Sequence, residues 1–114
     1  MSETKATPRP GFKITAGKGF HITFANGWTV SVQFGFGNYC DGRDLHRIPD
    51  DISAYDQEAG AKGDTTAEVA FWSPDGELQR LEGWNDTVAG WQSPADVIAL
   101  FNHVAAIAKA EGES

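Results

Sequence analysis

Two short runs alternate apolar and polar residues with the period of a strand. Residues 20–24 read FHITF and residues 28–34 read WTVSVQF. Successive strand side chains point to opposite faces, so each run predicts a strand with one face buried. ANG lies between them. A two-residue Asn-Gly turn would pair Phe24 with Thr29 and Ile22 with Ser31. Paired residues share a face, so that register mixes core-side and solvent-side positions. A three-residue loop pairs Phe24 with Trp28, Ile22 with Val30 and Phe20 with Val32. All six apolar side chains then share one face, and this is the expected register, with Gly27 in the left-handed position of a bulged turn. FKIT at residues 12–15 adds a short preceding strand.

A second strand pair is expected further along. TTAEVAFW (65–72) and ELQRL (77–81) flank SPDG, whose Pro, Asp and Gly are turn residues. Ala67, Val69 and Phe71 mark one face of the first run, while Ala70 and Trp72 mark the other. Both faces are partly apolar, which predicts an interior strand. The last periodic segment, SPADVIALFNHVAAIAKAEG (93–112), changes to helical spacing. Ser93 is the expected N-cap, Pro94 the first helical residue, and Asp96 a first-turn acid facing the positive helix end. Val97, Ile98, Phe101, Val104, Ala105 and Ala108 make the expected apolar stripe, with Gly112 past the end. The pattern predicts an α+β fold. An antiparallel sheet of about four strands, in two hairpins, packs against one long C-terminal helix.

The remaining residues carry no clear period. Residues 1–11, with Pro8, Pro10 and Gly11, read as a flexible arm before a single domain at 12–110. Residues 35–65 read as a long loop, which in a compact domain points to function or mobility. Within it, DDISAYDQEAG (50–60) has the caps of a short helix.

Composition changes this picture in two ways. The 114 residues hold 7 Phe, 4 Trp and 2 Tyr, enough large rings to fill a core and still leave some for a surface. The net charge of −7 is uneven. Residues 1–34 carry Lys5, Arg9, Lys13 and Lys18 against Glu3, a balance of +3, whereas residues 35–65 and 66–114 balance at −4 and −6. An acidic body lacks the basic footprint of direct nucleic-acid binding. It suits solubility, or a basic partner. The single Cys excludes an internal disulfide and any multi-cysteine zinc site. With neither a membrane-spanning run nor an apolar leader, the chain is expected in the cytoplasm, away from membranes.

The chemistry-bearing types gather in QFGFGNYCDGRDLHR (33–47). As a catalytic loop it offers Cys40 and His46, with Asp41 or Asp44 to orient the histidine. No nucleophile motif surrounds Cys40, so no catalytic residue is assigned; a small hydrolase is the alternative reading. No metal or cofactor site is assigned either. His21, His46 and His103 lack ligand spacing, and DGRD is too short for a calcium loop. GFGNYCDG fails the dinucleotide pattern because Cys40 stands at the third glycine position. The candidate binding residues are Phe36, Asn38, Tyr39, Asp41, Arg43 and His46, together with Trp84 and Trp91 of EGWNDTVAGWQSP (82–94). The rings offer stacking faces, Arg43 a phosphate contact, and the tryptophans interface anchors. The competing role of the tryptophans is to seal one end of the sandwich.

KGFHITFANGWTVSVQFGFGNYCD, TTAEVAFWSPDGEL and GWQSPADVIALFN together resemble small, largely uncharacterised accessory proteins of tailed phages and prophages. The resemblance covers most of residues 11–108. It implies a viral accessory protein in a bacterial host cytoplasm. The expected function is a non-enzymatic inhibitor that counteracts host defence, by occupying a defence protein or by sequestering a small nucleotide-like signal. A virion assembly or structural role is a further alternative. An unpaired sheet edge would also permit a homodimer.

Overall fold

The computed structural model describes residues 9–15, 19–35, 38–41 and 64–108. Among these residues, five strands form one antiparallel sheet in the order β1-β2-β3-β4-β5. They are β1 (Gly11–Thr15), β2 (Gly19–Thr23), β3 (Thr29–Gln33), β4 (Ala67–Trp72) and β5 (Val88–Gln92). The C-terminal helix, α1 (Pro94–Ala105), lies against the sheet, giving the expected α+β architecture with one strand more than anticipated among the described residues. The N-terminal residues 1–8 and the short helix expected at 50–60 lie outside the described residues.

The β2–β3 register is the one the hydrophobic pattern requires. Ile22 pairs with Val30 and Phe20 with Val32. The turn closes with Phe24 N–H donating to Trp28 O (2.9 Å) and Gly27 N–H to Phe24 O (2.8 Å). Gly27 has φ +88°, a region that suits glycine because it has no Cβ. Below the helix, Val30, Val32, Ala67, Val69, Phe71 and Ala89 are buried together with Leu100 and Val104. Trp28 and Phe34 pack at the margin of this core. Phe71 is the hub of its ring contacts, meeting Trp28, Trp84 and His103. On the opposite face, small polar residues are buried at Thr29 and Ser31. They are tied by a hydrogen bond between the Thr23 and Thr29 hydroxyls and by the Gln33 side-chain amide donating to Ser31 and Thr15. The Trp72 ring meets His21 edge-on at 5.0 Å.

Two expectations need correction. The partner of β4 is Val88–Gln92 and not residues 77–81. The SPDG turn forms, with Gly76 N–H donating to Ser73 O and Ser73 N–H to Glu77 O. Pairing then stops at a single bridge between Trp72 and Leu78. The reason lies in the spacing: Leu78 and Leu81 are three apart, which a strand would send to opposite faces. Leu81 packs on the core while Leu78 stays exposed. The helix stripe is also turned. Val97, Leu100, Phe101, Val104 and Ile107 face the sheet, while Ile98 and Ala105 face outward. Leu100 was missing from the expected stripe, yet it stands three residues after Val97 and four before Val104, in the middle of one face. The helix start is as read: Ser93 Oγ accepts from Asp96 N–H while Asp96 Oδ2 accepts from Ser93 N–H, a reciprocal cap.

Candidate functional site

Tyr39 and Trp91 are brought together from opposite halves of the chain. Their rings stack at 5.8 Å with an 18° tilt. Tyr39 is 43% exposed and Trp91 50% exposed. Several features hold them there. Between β4 and β5 the register slips: Val69 faces Ala89, but Ala67 faces Gln92, so β5 carries one extra residue. Such a bulge re-aims side chains. Trp91 sits in it with φ +51°, outside the usual range for a bulky residue. Its N–H donates to Tyr39 O at 2.7 Å. Tyr39 N–H in turn donates to Glu68 Oε1 of β4 at 2.8 Å. Gly90 makes room for the crossing chain. A Cβ there would stand 2.5 Å from Tyr39 Cβ and 2.9 Å from its carbonyl oxygen.

The rest of residues 38–41 is anchored just as locally. Asn38 donates from its side chain to Phe34 O and from its backbone to Gly35 O. Asp41 N–H donates to Thr66 Oγ1, and Thr65 Oγ1 donates to the Asp41 carboxylate. Cys40 is only 1% exposed. Its sulfur accepts from Gly35 N–H at 3.2 Å and lies 3.2 Å from Asp64 Oδ2 and 3.4 Å from Gly35 O. This thiol pins the loop to the end of β3 and the start of β4. A sulfur that attacks a substrate needs access to it, which this burial withholds.

Trp84 is elsewhere. It packs against the helix-side core, edge-on to Phe71 at 5.7 Å, in the sealing role. Phe36, Arg43 and His46 lie outside the described residues. The described surface therefore joins Asn38, Tyr39 and Asp41 to Trp91. Sequence reasoning left out Glu68, Gly90 and the Thr65–Thr66 pair that hold it. Around the corner, a cleft of about 370 Å³ opens between the first turns of α1 and the strand ends. Phe20, Val32, Phe34, Val97 and Ile98 give it apolar walls, and Asp64 stands at its polar side.

Among the described residues, no group of three or more His, Cys, Asp or Glu side chains is placed to hold a metal ion. Among them, too, no helix is long and apolar enough to cross a membrane. Compared with protein-family models, curated proteins and solved structures, the chain matches none.

Proposed function

We propose that this is a non-enzymatic binding protein that occupies a partner protein through the Tyr39–Trp91 surface. In the setting the phage resemblance implies, that partner is a bacterial defence protein and binding inhibits it. The observation that carries the reading is the stacked, half-exposed ring pair, fixed by its backbone bonds and by Gly90. Tyr and Trp are over-represented among interface residues that dominate binding energy. Rings already held in place lose less freedom on binding, so more of their burial appears as affinity.

The same surface favours a protein over a nucleotide signal. The described charges at the ring pair are the carboxylates of Glu68 and Asp41. Carboxylates repel phosphate and attract the Lys and Arg rim of a protein. The test is affinity capture from a bacterial host lysate with the intact chain and with a Tyr39→Ser/Trp91→Ser variant, with the captured material analysed for both protein and nucleotide. A host protein held by the intact chain and lost with the variant is expected. A nucleotide recovered in place of a protein, or equal capture by both chains, overturns the reading.

A further inference from the structure

The cleft between α1 and the strand ends has apolar walls and a polar end of one chemical kind. Its volume of about 370 Å³ lies at the small end of the range for small-molecule sites. Phe20 and Phe34 wall it from the sheet side, and Val97 and Ile98 from α1. Ile98 is 56% exposed, so apolar surface is left facing water there. The polar groups gather at one end. Ala67 pairs with Gln92, and Asp64 stands three residues before Ala67. The Asp64 carboxylate is held next to Phe34 by the N–H groups of Gly35 (3.2 Å) and Thr65 (2.8 Å). Gln92 donates from its side-chain amide to Gly90 O at 3.0 Å and keeps its Oε1 as an acceptor. The hydroxyls of Thr65 and Thr66 are tied to Asp41. Among the described residues, no Lys or Arg lines the cleft. The start of α1 offers an anion little, because Pro94 has no N–H and the Asp96 N–H is taken by Ser93. The Asp96 carboxylate adds negative charge at that end.

We propose that this cleft binds a small organic ammonium ion. Its apolar body, a single ring or a short alkyl chain, lies between the Phe20–Phe34 wall and the Val97–Ile98 wall, and its ammonium turns to Asp64 and Gln92. Three observations select this guest together. The volume admits a small body, and the walls favour an apolar one. The polar end presents acceptors, which call for N–H donors, and an ammonium has donors only. The carboxylate attracts a positive head and repels a negative one. A phosphate-bearing nucleotide or a fatty acid would meet Asp64 and Asp96 with no basic side chain of the lining to balance them. The proposal stands apart from the Tyr39–Trp91 surface, since neither ring lines the cleft.

Amide chemical shifts of the full chain, titrated with phenylpropylamine, phenylpropanol and phenylbutyrate, test it. The probes share a phenylpropyl body and differ in a cationic, neutral or anionic head. With the amine, saturable shifts are expected at Asp64, Ala67, Gln92, Val97 and Ile98, with a Kd on the order of hundreds of micromolar for so small a ligand. The alcohol should bind roughly tenfold more weakly and the carboxylate more weakly still, because only the ammonium gains from Asp64. Ile98→Trp, at an exposed helix position, should fill the cleft and abolish the shifts. Phe12→Ser, 80% exposed in β1 and outside the cleft, should leave the Kd unchanged. Asp64→Asn should remove the preference for the amine over the alcohol. Where that variant fails to fold, the three probes on the unmodified chain still decide. No saturable shift up to about 10 mM, equal affinity for the three heads, tighter binding of the carboxylate, or shifts that survive Ile98→Trp would each overturn the proposal. In the first case the cleft is left to a segment of another protein.

Discussion

Asn26 joins the β2–β3 turn to the end of α1: its side-chain amide donates to Val104 O at 2.9 Å and to Ile107 O at 2.8 Å. Its Oδ1 accepts from Trp28 N–H at 3.0 Å. The last carbonyls of a helix have no partner within it, so a side-chain donor there is a C-terminal clamp. Asn26→Ala should lower stability by about 1–3 kcal/mol, the cost of leaving such groups without partners. Asn26→Asp should do no better. It keeps the acceptor for Trp28 but loses both donors and sets a negative charge at the negative end of the helix. Urea denaturation of the three chains checks this, and equal midpoints would refute it.

Gly90 is the contact that lets residues 38–41 cross the sheet. Gly90→Ala forces apart its new Cβ and the Tyr39 backbone, which a side-chain rotation cannot relieve. A loss of about 1–3 kcal/mol is expected, as for other overpacked sites. The stacked pair should open with it. Loss of the chemical-shift perturbation between the Tyr39 and Trp91 ring protons would show this, and an unchanged pair would exclude it.

The pH dependence of folding should carry a His21 component. Burial first, and the Lys13 ammonium on the paired strand second, lower the His21 pKa. The unfolded chain takes up this proton near pH 6.5, at about the ordinary histidine pKa, and the folded chain only at lower pH. In that interval the unfolded state binds more protons, so stability rises with pH. The contribution is fully present above about pH 6.5 and is lost as pH falls toward the lower folded pKa. His21→Phe should flatten the fall of the urea midpoint between about pH 7 and pH 5. An identical slope in both chains would contradict this.

Cys40 should behave as a structural thiol. Under native conditions its labelling by a thiol reagent should be slow, and it should accelerate in urea as the loop opens. Cys40→Ser should keep partner capture, because the sulfur's role is to hold Gly35 and Asp64 and not to attack a substrate. Fast native labelling, or capture abolished in a folded Cys40→Ser chain, would restore a reactive role.

Much of the fold was legible because alternation and capping are local. Requiring Phe20, Ile22 and Phe24 to share a face with Val32, Val30 and Trp28 selects one register, and the hairpin has it. Ser93, Pro94 and Asp96 mark the helix start. Strand β5 was hidden because Gly90 and the left-handed Trp91 break its period, while ELQRL stood directly after the SPDG turn, where a hairpin partner was expected. The Asn-Gly pair was read for its turn, but the second duty of Asn26 spans 78 residues to Val104. Tyr39 was legible as a ring set among glycines, and Trp91 as a candidate interface anchor. Their contact was not, because it depends on a bulge and on a glycine whose role appears only when another chain segment crosses it.

Binding through the ring pair is tested by the affinity of the captured host protein for the intact chain and for Tyr39→Ser/Trp91→Ser, measured side by side with Phe12→Ser as a folded control. Each large interface ring contributes more than about 1 kcal/mol, so the double variant should lose at least roughly tenfold in Kd while the control keeps the parent value. Equal affinity of the double variant and the intact chain would place the contact elsewhere on the molecule and contradict the proposed function.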